Sequence, residues 1–220
     1  MNINITKKQI IIALSAIVVI LVGVFGYNAY RASQYEKNTE HFKEYSYKLY
    51  LVSTNLCSQI NSVWSGYIFD DKHYFGPKSG GSYSSSYSSV EEPIYCSNFS
   101  EIILHQEVFF TRKGFIKLMD EYRKEMKESF EKMTPPPGKY KDEHETMQKM
   151  YNAVNALCNC AVKPDGSLQS YTTLVRENDK KFLEAIEQSE IELCPIENKR
   201  SEYQQTVIKA VQDRLGSLDD

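Results

Sequence analysis

The chain has 220 residues, 41% hydrophobic and 25% charged, which excludes wholesale disorder and fits one domain with an appendage better than two domains. Its formal net charge is −3, and because Lys7 and Lys8 precede the longest apolar run, everything after that run is more acidic still. An acidic body argues against nucleic acid as a partner, since such binding rests on a basic surface that neutralises phosphates.

Residues 1–8 form a short basic head. Residues 9–30 carry no charge, and IIIALSAIVVILVGVFGY within them is apolar almost without interruption. At ~1.5 Å per residue such a run crosses a hydrocarbon core of roughly 30 Å, which predicts a single-pass transmembrane helix. A cleaved signal peptide would have a shorter apolar region ending at a small-x-small site, and here only Val24-Phe25-Gly26 approaches one. No cysteine follows closely enough for lipid attachment. A basic head before a first apolar helix places the N-terminus inside and the body outside the cytoplasm, at the cell membrane, with Tyr27 and Tyr30 as interfacial aromatics on the far side. Ala13, Ala16 and Gly23 share a face that would let two such helices approach, although GxxxG is absent.

The body, 31–195, reads as all-α: an antiparallel bundle of about four long helices, each with apolar residues at alternating three- and four-residue intervals. The first covers 33–69, with Phe42, Leu49, Leu56, Ile60 and Val63 in its stripe. A Gly/Ser/Tyr-rich loop follows at 70–97, too poor in aliphatic residues to bury and of a length that is usually either functional or disordered. With about 37 residues of helix reaching ~55 Å from the membrane, this loop is expected at the distal end. The second helix, 98–133, carries Ile102, Phe109, Ile116, Met119, Met126 and Met133, with Gly114 as a weak point. Pro135-Pro136-Pro137-Gly138 ends it, since proline lacks a donor and clashes with the preceding turn. The third, 141–162, starts with Asp142, Glu143 and Glu145, where the helix dipole favours negative charge. Lys163-Pro164-Asp165-Gly166-Ser167 is a turn whose serine is placed to cap the fourth helix, 168–193, and so short a link makes helices three and four neighbours. Residues 196–220 form a C-terminal amphipathic helix and tail, with Tyr203, Val207, Val211 and Leu215 four apart and no docking site evident.

The stretch TPPPGKYKDEHETMQKMYNAVNALCNCAVKPDGSLQSY, residues 134–171, resembles a segment of uncharacterised bacterial membrane-anchored or lipoprotein-type helical-bundle surface proteins. In those a Pro-Pro turn, a Lys-Tyr-Lys-Asp helix start and a Gly-Ser-Leu turn recur in this order. The resemblance implies an extracytoplasmic helical bundle and carries no activity or catalytic residue. This chain departs from it in having a membrane helix where a lipid-modified cysteine is expected, and in its five cysteines.

Candidate chemistry is sparse. Cys57, Cys96, Cys158, Cys160 and Cys194 contain no CxxC, and 158 and 160 point ~200° apart on a helix. Buried thiols at helix interfaces are the plainer reading, although an oxidising compartment permits one or two disulfides. Glu101 and His105 share a helix face without the further ligands a zinc site needs. With no GxSxG or GxxxxGK[ST], the chain reads as no enzyme, with no catalytic, cofactor-binding or metal residue assigned and no cofactor expected. Asn178 lies on the stripe of helix four, as a register-setting polar residue does. Trp64, Tyr67, Tyr83 and Tyr87 are the candidate partner contacts, because aromatic and serine-rich tips are adaptable recognition surfaces. The expectation is therefore a membrane-anchored binding or interaction module; the alternative is an assembly protein that self-associates through its long helices.

Overall fold

A computed structural model describes residues 7–69, 74–75 and 94–216, with side chains described for 19–69 and 94–214. The chain is mostly helical, as the periodicity predicts. Helix α1, Lys7–Phe69, is unbroken over 63 residues, a length of roughly 95 Å. The predicted membrane span at 9–30 begins on residues whose side chains lie outside the described set. Among the described residues no helix is long and apolar enough to cross a membrane.

From Tyr35 to Trp64, α1 is the axis of the bundle and three of its rows repeat every seven residues. Tyr35, Phe42, Leu49 and Leu56 form one buried row, and Thr39, Ser46, Ser53 and Ile60 a second. Seven is close to two turns, so each row stays in line along the helix. The small hydroxyl side chains of the second row let neighbouring helices come close. The third row, Lys43, Tyr50, Cys57 and Trp64, faces α5, Leu168–Glu192, in antiparallel order: Lys43 meets Ser189, Tyr50 stacks on Phe182 at 4.3 Å, and Trp64 packs on Tyr171.

The other helices surround this axis. The predicted second helix is two: α2, Phe99–Arg112, and α3, Phe115–Lys132, separated by Gly114 at φ 71°. That left-handed residue takes the bond from its own N–H to the Thr111 carbonyl and starts the next helix by accepting from Leu118. Helix α3 descends α1, pairing Tyr45 with Tyr122 and Phe42 with Phe130. A turn with a cis Thr134-Pro135 bond and a 3-10 segment, Gly138–Tyr140, leads into α4, Lys141–Val162, which climbs from Tyr35 toward Cys57. Ser167 caps α5 in a reciprocal pair with Ser170, as the turn sequence predicts.

The structure adds two features. The C-terminal helix, α6, Arg200–Gly216, lies along α1 with Tyr203 and Val207 in the common core, and Gln204 donates to the Tyr47 hydroxyl. A four-residue spacing reveals an apolar face but not its partner, which is why the docking was illegible. Within the segment 70–97 lies a two-stranded antiparallel ladder, β1 Tyr74–Phe75 with β2 Ile94–Tyr95, too short for a strand pattern to register.

Candidate functional site

Among the candidate contacts, Trp64 is corrected outright. It is 4% exposed and wedged between Phe99, 4.5 Å away, and Tyr171 at 5.5 Å, so no partner reaches it. Its seven-residue spacing from Cys57 and Tyr50 is the signal that it belongs to the α5-facing row. Tyr67 is half-buried against Phe99. Tyr83 and Tyr87 lie outside the described residues. Glu101 is occupied locally: its carboxylate accepts from the Ser97 backbone N–H and hydroxyl, while Asn98 caps α2 by accepting from Glu101 N. These bonds, Ser97 foremost, hold the Glu101 carboxyl below its ordinary value. Among the described residues no three His, Cys, Asp or Glu side chains converge as a metal site.

The thiols are all free. Cys57 and Cys158 are fully buried, and the Tyr171 hydroxyl lies against Cys57 and donates to the Cys160 carbonyl at 3.3 Å. Desolvation pushes the Cys57 thiol up to about 12 and raises Cys158 and Cys160 as well. A thiol so held is protonated and inert at neutral pH, because the thiolate is the nucleophile.

A groove of about 680 Å³ lies on the outer face of α4 and α5. Its floor is made by small residues where the two helices face each other, Ala153 and Ala185, with Asn178 beside them. Longer side chains rise on either side: Glu145, Lys149 and Asn152 from α4, Lys181, Glu184 and Gln188 from α5. Asn178 donates to the Leu174 carbonyl of its own helix, so its amide group makes no bond across to α4 through that donor. Glu192 closes the end nearer Tyr140; one of its oxygens accepts from Thr146 and Gln188, and the other is buried without a hydrogen-bond partner among the described residues. Glu184 pairs with Lys180 outside the groove, whereas Lys149 and Lys181 make no ion pair among the described residues. The groove thus presents the ammonium groups of Lys149 and Lys181, the carboxylates of Asp142, Glu145, Glu184 and Glu192, and carboxamides, a set suited to holding a polar ligand. None of the side chains lining it is a histidine, cysteine, serine or tyrosine. The signal for it in the sequence is slight: Ala153 and Ala185 sit beside the larger stripe residues Val154 and Ile186, each with a lysine four residues earlier.

A second polar cluster is structural. Lys43 is fully buried and its ammonium donates to the carbonyls of Leu193 and Cys194, just past the end of α5, and to the Ser189 carbonyl, which also accepts from the Leu193 N–H. Burial pulls its pKa down to about 8, with Glu190 opposing. Three acceptors call for three N–H donors, which only the ammonium form supplies. Glu190 in turn accepts from the Ile196 and Glu197 backbone N–H groups and from Arg200, tying the α5–α6 turn together.

Comparison with family models, with curated proteins and with solved structures finds no match to this chain.

Proposed function

We propose that this chain is a membrane-tethered binding module, held at the cell membrane by the apolar start of α1, with its bundle outside the cytoplasm and the α4–α5 groove as its ligand surface. The groove carries the proposal: it combines a volume typical of ligand sites with two lysines, Lys149 and Lys181, that make no ion pair among the described residues. The tether is supported by α1, which runs without a break from the uncharged stretch into the bundle axis while Val19, Ile20, Val22 and Phe25 stand 64–71% exposed. Apolar side chains in such a row have no partner in the bundle, and a bilayer is a medium that would cover them. Lys7 and Lys8 before the run and the resemblance of residues 134–171 to extracytoplasmic bundles support the orientation.

Self-association through the long helices finds less support. Between Tyr35 and Trp64 the stripes of α1 are consumed by α3 to α6, which leaves little apolar surface there for a second copy.

A photo-reactive residue placed at Gln188 in the full chain, in native membranes, should cross-link a ligand or partner, and Asn152→Trp, which fills the groove from its rim, should abolish the adduct. The same residue at exposed Glu187, outside the groove lining, should give none. Equal labelling at 187 and 188, or none at 188, would sink the groove as the binding surface.

A further inference from the structure

We infer that the membrane-facing end of the bundle holds a site for the phosphate of an anionic phospholipid headgroup, built by Arg31 and Lys132; this rests on the tether proposed above. A pocket of about 240 Å³ lies where α1 enters the bundle, between Tyr27, Tyr30 and Arg31 on one side and Lys132, Pro135 and Pro137 on the other. No carboxylate lines it. The neighbouring acids are engaged elsewhere: Glu131 with Lys127, and Glu36 with Lys139 and the Tyr140 hydroxyl. Lys132 makes no ion pair among the described residues, and Arg31 spends one N–H on the Pro135 carbonyl. That bond fixes the guanidinium against the proline turn and leaves most of its fork of donors free, the geometry that suits a phosphate.

Position decides which phosphate. The uncharged stretch ends just before Arg31 on an unbroken helix, so Arg31 lies about 6 Å along the axis beyond Tyr27, the last residue of the apolar run. The headgroup layer on each side of a bilayer is roughly 5–8 Å thick. Arg31 therefore sits at the depth of lipid phosphates, with Tyr27 and Tyr30, 61% and 63% exposed, as the interfacial rim. Helix α3 ends with Lys132 in the lining of the same pocket, so two cations from residues a hundred apart in the chain converge there.

The full chain, purified in a non-ionic detergent, is incubated with equal amounts of phosphatidylglycerol and phosphatidylcholine, and retained lipid is counted by native mass spectrometry. Phosphatidylglycerol should be preferred, and the preference should fall about fivefold for each of Arg31→Gln and Lys132→Gln. Lys132→Gln leaves the Arg31–Pro135 bond intact, so its effect is free of any change at that contact. Equal retention of the two lipids by the wild type overturns the site, as does release of phosphatidylglycerol by a modest excess of inorganic phosphate, which would make a free anion the ligand. Alkaline extraction of native membranes separates the two proposals: a chain released by alkali defeats the tether, whereas one that stays but shows no lipid preference defeats only the headgroup site.

Discussion

The two ends of the α1 axis are held by different physics. At the distal end, Cys57, Ile60, Trp64, Phe99, Leu157 and Tyr171 form an apolar core whose hydroxyl and thiol groups bond mostly to backbone. At the end nearer residue 31, Tyr35 stacks on Tyr140 at 4.6 Å and 8°, Lys43 caps α5, and Lys139 and Lys199 pair with Glu36 and Glu40. The distal end is stabilised by area and dispersion. The proximal end is stabilised by direction, because each donor must meet its acceptor or leave a buried group unpaired. Its surface ion pairs add little, since water screens them and two long side chains must be ordered to hold each one.

The comparison is broken most directly at Trp64. Trp64→Ala removes the ring that joins α1, α2 and α5, and should cost about 4 kcal/mol by cavity formation, read as a lowered urea midpoint. A loss under about 1 kcal/mol would mean that Trp64 carries little of the packing at this end and would reopen it as a partner contact.

Lys43→Met tests the other end. The substitution keeps the length of the side chain but leaves the Ser189, Leu193 and Cys194 carbonyls without the ammonium donor, and should cost about 2 kcal/mol after the relief of burying a charge. A neutral or stabilising outcome would show that desolvation of the ammonium outweighs its three bonds, and the contrast between the two ends would dissolve. The role of Lys43 was not legible in the sequence. A lysine within an apolar stripe reads as a stripe edge, and only the arrival of the α5 terminus from 146 residues away gives it acceptors. The helices themselves were legible, because periodicity, the triple proline and the Ser167 cap are local. The groove was not, since it depends on which two alanines face each other across α4 and α5.

Alkaline pH should separate the ends further. Burial holds the Tyr35, Tyr50 and Tyr171 hydroxyls well above their ordinary value and the Cys57 thiol up at about 12. These groups stay protonated in the folded chain where the unfolded chain ionises, so their contribution is complete below about pH 9 and is lost as pH rises through the folded values. Lys43 has the opposite sign. Its folded value, about 8 against 10.5, means the unfolded chain binds more protons between those two, and stability from this group rises with pH across that window. Urea midpoints measured from pH 7 to 11 should therefore fall above pH 9, and fall more steeply in Lys43→Met. Parallel curves for the two proteins would show that Lys43 is not depressed.

The smallest expected effect lies where the two polar devices of the proximal end meet. Cys194, just past the end of α5, has φ 50°, the left-handed conformation that ends many helices and that glycine adopts without steric cost. A side chain there costs about 1–2 kcal/mol relative to glycine. Cys194→Gly removes that cost, gives up the contact of the thiol with the Glu36 carbonyl, and adds chain entropy to the unfolded state. The net gain should be about 0.5 kcal/mol, a small rise in Tm. Because the Cys194 carbonyl, not its side chain, receives Lys43, the cap survives the change. If Cys194→Gly instead lowers Tm, the thiol is holding the turn to α1, and the end of α5 is fastened by its side chains as much as by its carbonyls.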